Sequence, residues 1–278
     1  LLAASAAGPA SAITGGQPDG DLHPNVGLIA FYDATTPDAA GLPTRFRCSA
    51  TLVSPTVVLT AAHCTLGTTG KTLVTFESVL AEEPPSPLPV AADPADGYTQ
   101  AELEAAGYSS GTAYAHPDYS DFTDLDNWND VGVIVLDTPV TDVEPATIAA
   151  PNYLDDYAQP VLNKTLFTSV GYGTEVRKPD AGPQKPTPMS YPLIRRYADA
   201  PGQKLTPQIL QTNGNLNDNR GTGGTCFGDS GGPTFHDGYV VTVTSYGYTS
   251  NCRYLDGLQR VDIPVVQDWL ATFGLTFG

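Results

Sequence analysis

Short apolar runs, each cut off by glycine, proline, asparagine or aspartate, recur along this chain and restrict what it can fold into. VGLIAFY at 26–32, ATLV at 50–53, VVLT at 57–60, VGVIVL at 131–136, LFTSVGY at 166–172 and YVVTVTSY at 239–246 are rich in β-branched and aromatic residues. They are too short for helices and read as strands. The 28 glycines and 25 prolines suit the tight turns that must join them. Such spacing points to an all-β sandwich or a pair of barrels rather than to βαβ units. All-β folds often fill 278 residues with one domain, so length alone implies no second domain.

A few stretches break the rhythm. Residues 81–94 (AEEPPSPLPVAADP) are proline-rich and acidic and read as an exposed loop, as does a second excursion at 176–188. QAELEAA at 100–106 has the composition of a helical turn or two. The clearest helix is C-terminal: Asp262 is placed to cap it, Pro264 suits its first turn, and Val265, Val266, Trp269, Leu270 and Phe273 supply one apolar face.

A net charge of −17 argues against nucleic acid or an anionic membrane as a partner. No run of about 18 apolar residues offers a membrane span. Residues 1–12 (LLAASAAGPASA) resemble the tail of a secretory signal with an A-x-A cleavage site at Ala10-Ser11-Ala12, and so stand outside the fold. Four cysteines, Cys48, Cys64, Cys226 and Cys252, in such an exported chain favour two disulfides over a zinc site, because no C-x-x-C spacing or histidine cluster accompanies them. Three pairings are open to four cysteines.

Three segments carry chemistry. In Gly228-Asp229-Ser230-Gly231-Gly232-Pro233 a serine flanked by glycines can sit on a tight turn where main-chain N–H groups converge. A serine is a poor nucleophile without a base to take its proton. Thr60-Ala61-Ala62-His63-Cys64 offers that base at the end of a strand-like run. Asp130, at the mouth of the apolar run 131–136, can point inward to hold the imidazole, whereas Asp124 and Asp126 do not directly precede it. His23, His116 and His236 read as ordinary turn or surface residues.

In that order, TAAHC, the aspartate ahead of an aliphatic strand and GDSGGP resemble the chymotrypsin/trypsin family of serine proteases, from about Ile13 to the last helix. The resemblance implies two packed antiparallel β-barrels with a C-terminal α-helix. A peptidase domain would then cover 13–278, with one barrel at about 13–142, a second at about 143–261 and the helix at about 262–274. It implies a secreted endopeptidase working through an acyl-enzyme, with Ser230 as nucleophile, His63 as general base and Asp130 orienting it. The N–H groups of Gly228 and Ser230 would form the oxyanion hole, and Ser245-Tyr246-Gly247 would pair with substrate. Cys48 would bridge to Cys64 behind the histidine, and Cys226 to Cys252 beside the specificity pocket. A freed amine at Ile13 would pair with Asp229. Because no Arg or Lys precedes Ile13, signal peptidase itself is the expected source of that amine.

Trypsin-like enzymes carry an aspartate where this chain has Gly224, which removes the usual anchor for Lys or Arg and suggests a roomier pocket. Asp256, on the returning strand, either enters that pocket or faces solvent. Protein or peptide substrates and protein inhibitors are the implied partners, for a monomer needing no cofactor. Glu77, Glu82 and Glu83 fall near a loop where some relatives hold calcium, but the altered length and the prolines speak against a metal there.

Two rivals remain. GDSGG also satisfies the G-x-S-x-G pattern of α/β-hydrolase esterases, but that fold needs a histidine after the serine and acid, on a sheet with crossover helices. Only His236 follows Ser230, and helical patterns are scarce. The other rival is a catalytically silent binding protein on a protease scaffold; such proteins usually lose a triad member, and none is lost here.

Overall fold

The apolar runs become strands of two closed rings in a computed structural model, which describes residues 13–176, 189–215, 217–252 and 254–278. The signal-like segment 1–12 and nearly all of the excursion at 176–188 lie outside the described residues. The first ring comprises β1 (Val26–Pro37), β2 (Pro43–Ser54), β3 (Val57–Thr60), β4 (Thr68–Thr75), β5 (Ser109–Ala115) and β6 (Gly132–Leu136). These close a barrel in the order β1-β2-β3-β6-β5-β4, every pair antiparallel.

Period-two alternation decides which side chains fill it. Ile29 and Phe31, then Cys48, Ala50 and Leu52, point inward with Val58, Val74, Ile134 and Leu136. The opposite faces of β3 and β6 are buried as well. There Val57, Leu59, Val131 and Val133 meet Val170, Val240 and Val243 across the seam between the rings. Burial on both faces is why VVLT and VGVIVL read as unbroken apolar runs.

The second ring comprises β7 (Leu166–Gly171), β8 (Arg196–Leu205), β9 (Ile209–Asn213), β10 (Pro233–His236), β11 (Tyr239–Gly247) and β12 (Leu255–Arg260). Its order is β8-β7-β10-β11-β12-β9, and β9 pairs back onto β8 to close it. Phe167, Leu210, Val241 and Leu258 fill it together with Ala149, Leu154 and Leu162. The N-terminal arm, grouped with the first barrel by the expected division near 142, runs along the second: Gln17 and Pro18 pair with Tyr197 and Arg196.

Helix α1 (Gln100–Ala105) begins with a capping box in which Thr99 Oγ1 accepts from Glu102 N and the Glu102 carboxylate accepts from Thr99 N. Helix α2 (Pro264–Ala271) has Pro264 in its first turn, but Asp262 does not cap it. The Asp262 carboxylate instead accepts from Leu154 N at 2.8 Å and from Arg260 Nη2 at 2.8 Å, a stronger claim than an exposed cap offers. Val266 and Leu270 face the seam with Trp269 and Phe273 packed against it, while Val265 is partly exposed, at 39%. No helix among the described residues is long and apolar enough to cross a membrane.

The 81–94 segment is mostly exposed, as its composition suggests, but it is pinned at two buried residues. Leu88 and Ala91 are buried, Arg45 Nη1 and Tyr98 Oη both donate to Pro89 O, and Ala91 N donates to Tyr32 Oη. The spare histidines are not ordinary surface residues. His116 is buried against Trp269, His23 Nδ1 lies 2.5 Å from Asp19 Oδ1, and His236 Nδ1 lies 2.8 Å from Tyr153 Oη.

Candidate active site

Strand pairing brings together His63 and Asp130, the expected base and its expected orienting carboxylate. Thr60 at the end of β3 pairs with Gly132 at the start of β6, so the turn leaving β3 and the segment entering β6 share one edge of the first barrel. His63 occupies that turn, Ala62–Cys64, tied to β2 by the Cys48–Cys64 disulfide. Asp130 lies opposite and fully buried. Its Oδ1 accepts from His63 N at 2.9 Å, and its Oδ2 lies 2.8 Å from His63 Nδ1. With Nδ1–H committed to a carboxylate, Nε2 is left as the acceptor. Burial disfavours the charged imidazole, but the charge and hydrogen bond of Asp130, helped by the charge of Asp121, outweigh it and raise the His63 pKa. Asp124 and Asp126 lie in an exposed turn, where Asp126 N donates to Asp124 Oδ1.

Groups that sequence reasoning missed fix Asp130 from behind. Ser245 Oγ donates to its Oδ2 at 2.5 Å, Trp128 Nε1 donates to Ser245 Oγ at 2.9 Å, and Asp130 N donates to Gln259 Oε1. Ser245, expected to pair with substrate, also gives its side chain to the carboxylate.

The serine loop is held at several points by the main chain. Gly228 and Gly231 adopt φ of 98° and 73°, left-handed values that glycine tolerates. Ser49 spans the loop: its Oγ donates to Gly228 O at 2.9 Å and its N donates to Ser230 O at 2.8 Å. Thr174 N donates to Phe227 O at 2.7 Å. A planar trans peptide then turns Gly228 N–H the opposite way. Neither Gly228 N nor Ser230 N has a protein acceptor among the described residues. Ser230 and His63 line one cleft of about 760 Å³, but no hydrogen bond joins Ser230 Oγ to the ring in this structure. Catalytic hydrogen bonds commonly tighten only once substrate is bound.

Asp229 points away from the cleft into the protein. Its oxygens accept from Gly173 N at 2.7 Å and Cys226 N at 2.8 Å, in a space that a side chain on Gly171 or Gly173 would occupy. Burial pushes its pKa up to about 7 despite those two N–H groups and the nearby charge of Arg47. Ile13 is buried and held at φ 52°, a conformation β-branched residues avoid. Its nitrogen is a peptide nitrogen here, and no hydrogen bond links it to Asp229. The adjoining Thr14 exchanges main-chain hydrogen bonds with Gly224 at 2.9 and 3.0 Å.

A cavity of about 370 Å³ opens on the other side of Ser230, lined by Phe227, Ser245, Tyr246, Gly247 and Asp256 and bordered by the Cys226–Cys252 disulfide. Of the two orientations left open for Asp256, the structure takes the inward one, at 3% exposure. Its Oδ2 accepts from Thr225 N at 2.8 Å and lies 2.9 Å from where a side chain on Gly224 would begin, so Gly224 makes room for it. Burial raises the Asp256 pKa to about 7 against the lowering by Thr225, with the charge of Asp229 adding to the rise. A chain of aromatic rings runs from His63: Phe122 lies 5.7 Å from the His63 ring, and Trp128 lies 5.1 Å from both Phe122 and Tyr246. Glu77, Glu82 and Glu83 do not gather around a common point. Among the described residues the one grouping of potential metal ligands is Cys48, His63 and Cys64, whose sulfurs are spent on the disulfide.

A family model described as Trypsin matches residues 39–270. The chain belongs to the trypsin family. Members are serine peptidases, and brachyurin from Leptuca pugilator is 28% identical over 235 residues, covering 82% of this chain and 87% of that protein. Two solved structures show the shared trypsin fold. HL collagenase aligns at a TM-score of 0.62 and 17% identity, covering 97% of this chain and 99% of its own. Human heparin binding protein aligns at a TM-score of 0.57 and 17% identity, covering 96% and 99%.

Proposed function

We propose that this trypsin-family chain is a secreted serine endopeptidase that hydrolyses peptide bonds of protein substrates through an acyl-enzyme intermediate. The observation that carries the reading is His63, held by two hydrogen bonds to buried Asp130 and sharing a cleft with Ser230. Ser230 Oγ attacks the scissile carbonyl carbon while His63 Nε2 takes the hydroxyl proton. The oxyanion that forms accepts from the N–H groups of Gly228 and Ser230. As the C–N bond breaks, His63 returns the proton to the leaving amine, and an ester on Ser230 remains. Water, deprotonated by the same nitrogen, then releases the acid.

Two disulfides and the A-x-A sequence at 10–12 support export. Cleavage before Ile13 would convert its amide into an ammonium. Asp229, buried in the serine loop without a cation in contact among the described residues, is the group that such an ammonium would stabilise. The pocket beneath Ser230, with Asp256 at its base, suits a cationic side chain when Asp256 is ionised and an apolar one when it is protonated.

A neighbour named for binding heparin, together with the unformed Ser230–His63 hydrogen bond, favours a second reading as a binding protein. The charge of −17 counts against a polyanion as its ligand. Labelling with a fluorophosphonate separates the two. Stoichiometric modification of Ser230 that disappears in His63→Ala supports the peptidase; absence of labelling, or labelling indifferent to His63→Ala, supports the binding protein.

A further inference from the structure

We propose that Arg47 selects substrates that carry a carboxylate on the leaving-group side of the scissile bond. The inference rests on the peptidase reading and adds a substrate class to it.

Ser230 and Phe227 line both cavities, so a peptide crossing the nucleophile places its acyl side in the 370 Å³ pocket and its leaving-group side in the 760 Å³ cleft. His63, which hands its proton to the leaving amine, lines the larger space, as do Phe46, Tyr191 and Leu193. Two cations face that space from β2, where residues 45 and 47 share one side of the strand.

Their commitments differ. Arg45 Nη1 donates to Pro89 O at 2.6 Å and secures the 81–94 segment. Among the described residues Arg47 reaches one acceptor, Pro192 O, from Nη1 at 3.5 Å, the limit of a hydrogen bond. Its Nε and Nη2 have no protein partner among the described residues, yet are not sealed from solvent. Arg47 Nε stands 3.6 Å from where a side chain on Gly228 would begin, at the edge of the oxyanion loop.

Among the described residues, none of the carboxylates that line the cleft or act on Arg47 is paired with the guanidinium. Asp229 acts on Arg47 only through space, because both its oxygens accept from main-chain N–H groups. Asp33, at the far rim of the cleft, is bound to Thr35 and Thr36. Glu83 also lines the cleft but makes no ion pair with Arg47. A half-buried guanidinium with unused donors, in a chain with 30 acidic and 13 basic residues, is a ready carboxylate receptor.

The test uses quenched peptides that are amide-capped, share one acyl half, and carry Glu, Gln or Lys at each of the first three positions after the scissile bond. Wild type should prefer Glu over Lys at one of these positions by about tenfold or more in kcat/KM. The preference should disappear in Arg47→Gln, persist in part in Arg47→Lys, and reverse in Arg47→Glu. Because the Glu/Lys ratio is read within each variant, a change in overall rate cancels. A preference appearing only with uncapped leaving groups supports the carboxylate site and assigns it to a chain end. No preference in wild type, or one that survives Arg47→Gln, overturns the proposal. A wild-type protein that cleaves nothing and takes no fluorophosphonate overturns the peptidase reading instead.

Discussion

Ser245 and His63 share one oxygen of Asp130: the Ser245 hydroxyl donates to Oδ2 at 2.5 Å while His63 Nδ1 lies 2.8 Å from the same atom. Ser245→Ala should lower kcat/KM by about tenfold, since a hydrogen bond to a charged group contributes about 1.5–3 kcal/mol. The loss should fall mainly on kcat. Trp128→Phe, which removes the donor to Ser245 together with part of the buried ring, should cost less, and Asp130→Asn should cost about 10⁴-fold through the wrong imidazole tautomer. Steady-state kinetics on one chromogenic peptide rank the three; equal effects would place Ser245 outside the carboxylate's support.

Activity should rise with pH as His63 loses its proton, and the midpoint should lie above the ordinary imidazole value of 6.5, because Asp130 holds the charged form. Asp121 adds to that hold through its charge. Asp121→Asn should therefore move the ascending limb of kcat/KM to lower pH, and a limb that stays in place would remove Asp121 from the electrostatics of the site.

Asp256 gives the pocket its own pH dependence. With a pKa of about 7, the carboxyl is neutral in mild acid and ionised in mild base. The ratio of kcat/KM for Arg over Leu at the residue donating the scissile carbonyl should climb between about pH 6 and pH 8, and Asp256→Asn should flatten it. Stability runs the other way. From the ordinary 3.8 up to about 7, the folded protein keeps a proton that the unfolded chain has lost, so this residue's contribution to stability falls as pH rises through that window. Thermal unfolding across the same range should show a shallower decline in the variant.

Replacing Cys226 and Cys252 together by Ser should cost about 3 kcal/mol, the chain-entropy value for a loop of this class. Because this bridge borders the Asp256 cavity, discrimination between Arg and Leu should weaken too. Denaturant unfolding and the same substrate pair measure both effects.

What could be read in the sequence was what local chemistry dictates. Strands appear wherever β-branched runs stop at turn formers, and Thr99 with Glu102 brackets a helix start through a rule that needs no distant partner. His63, Asp130 and Ser230 stand out because nucleophilic catalysis demands those residue types in recognisable settings. What escaped depends on neighbours remote along the chain. Asp262 looks like a helix cap until Arg260 and Leu154 draw its carboxylate elsewhere. The 81–94 segment is exposed as expected, but the anchoring of its middle by Arg45, Tyr32 and Tyr98 could not be read from it. Ser49 beside Cys48 carries no signal of its own, because its partners at Gly228 and Ser230 lie far along the chain.

Each disulfide closes a loop within its own half of the molecule, Cys48–Cys64 on the side of the base and Cys226–Cys252 on the side of the nucleophile. No disulfide rivets the halves together; their alignment depends on the apolar seam where Leu59 and Val133 meet Val170 and Val243, and on the hydrogen bonds that Ser49, Ser245 and Asp130 make across it. On the peptidase reading, the joint between the halves is also the catalytic one. Heat, pressure or a mild detergent that lets the halves slide should silence hydrolysis while each barrel keeps its hydrogen-bonded ladder, and such inactivation should be reversible.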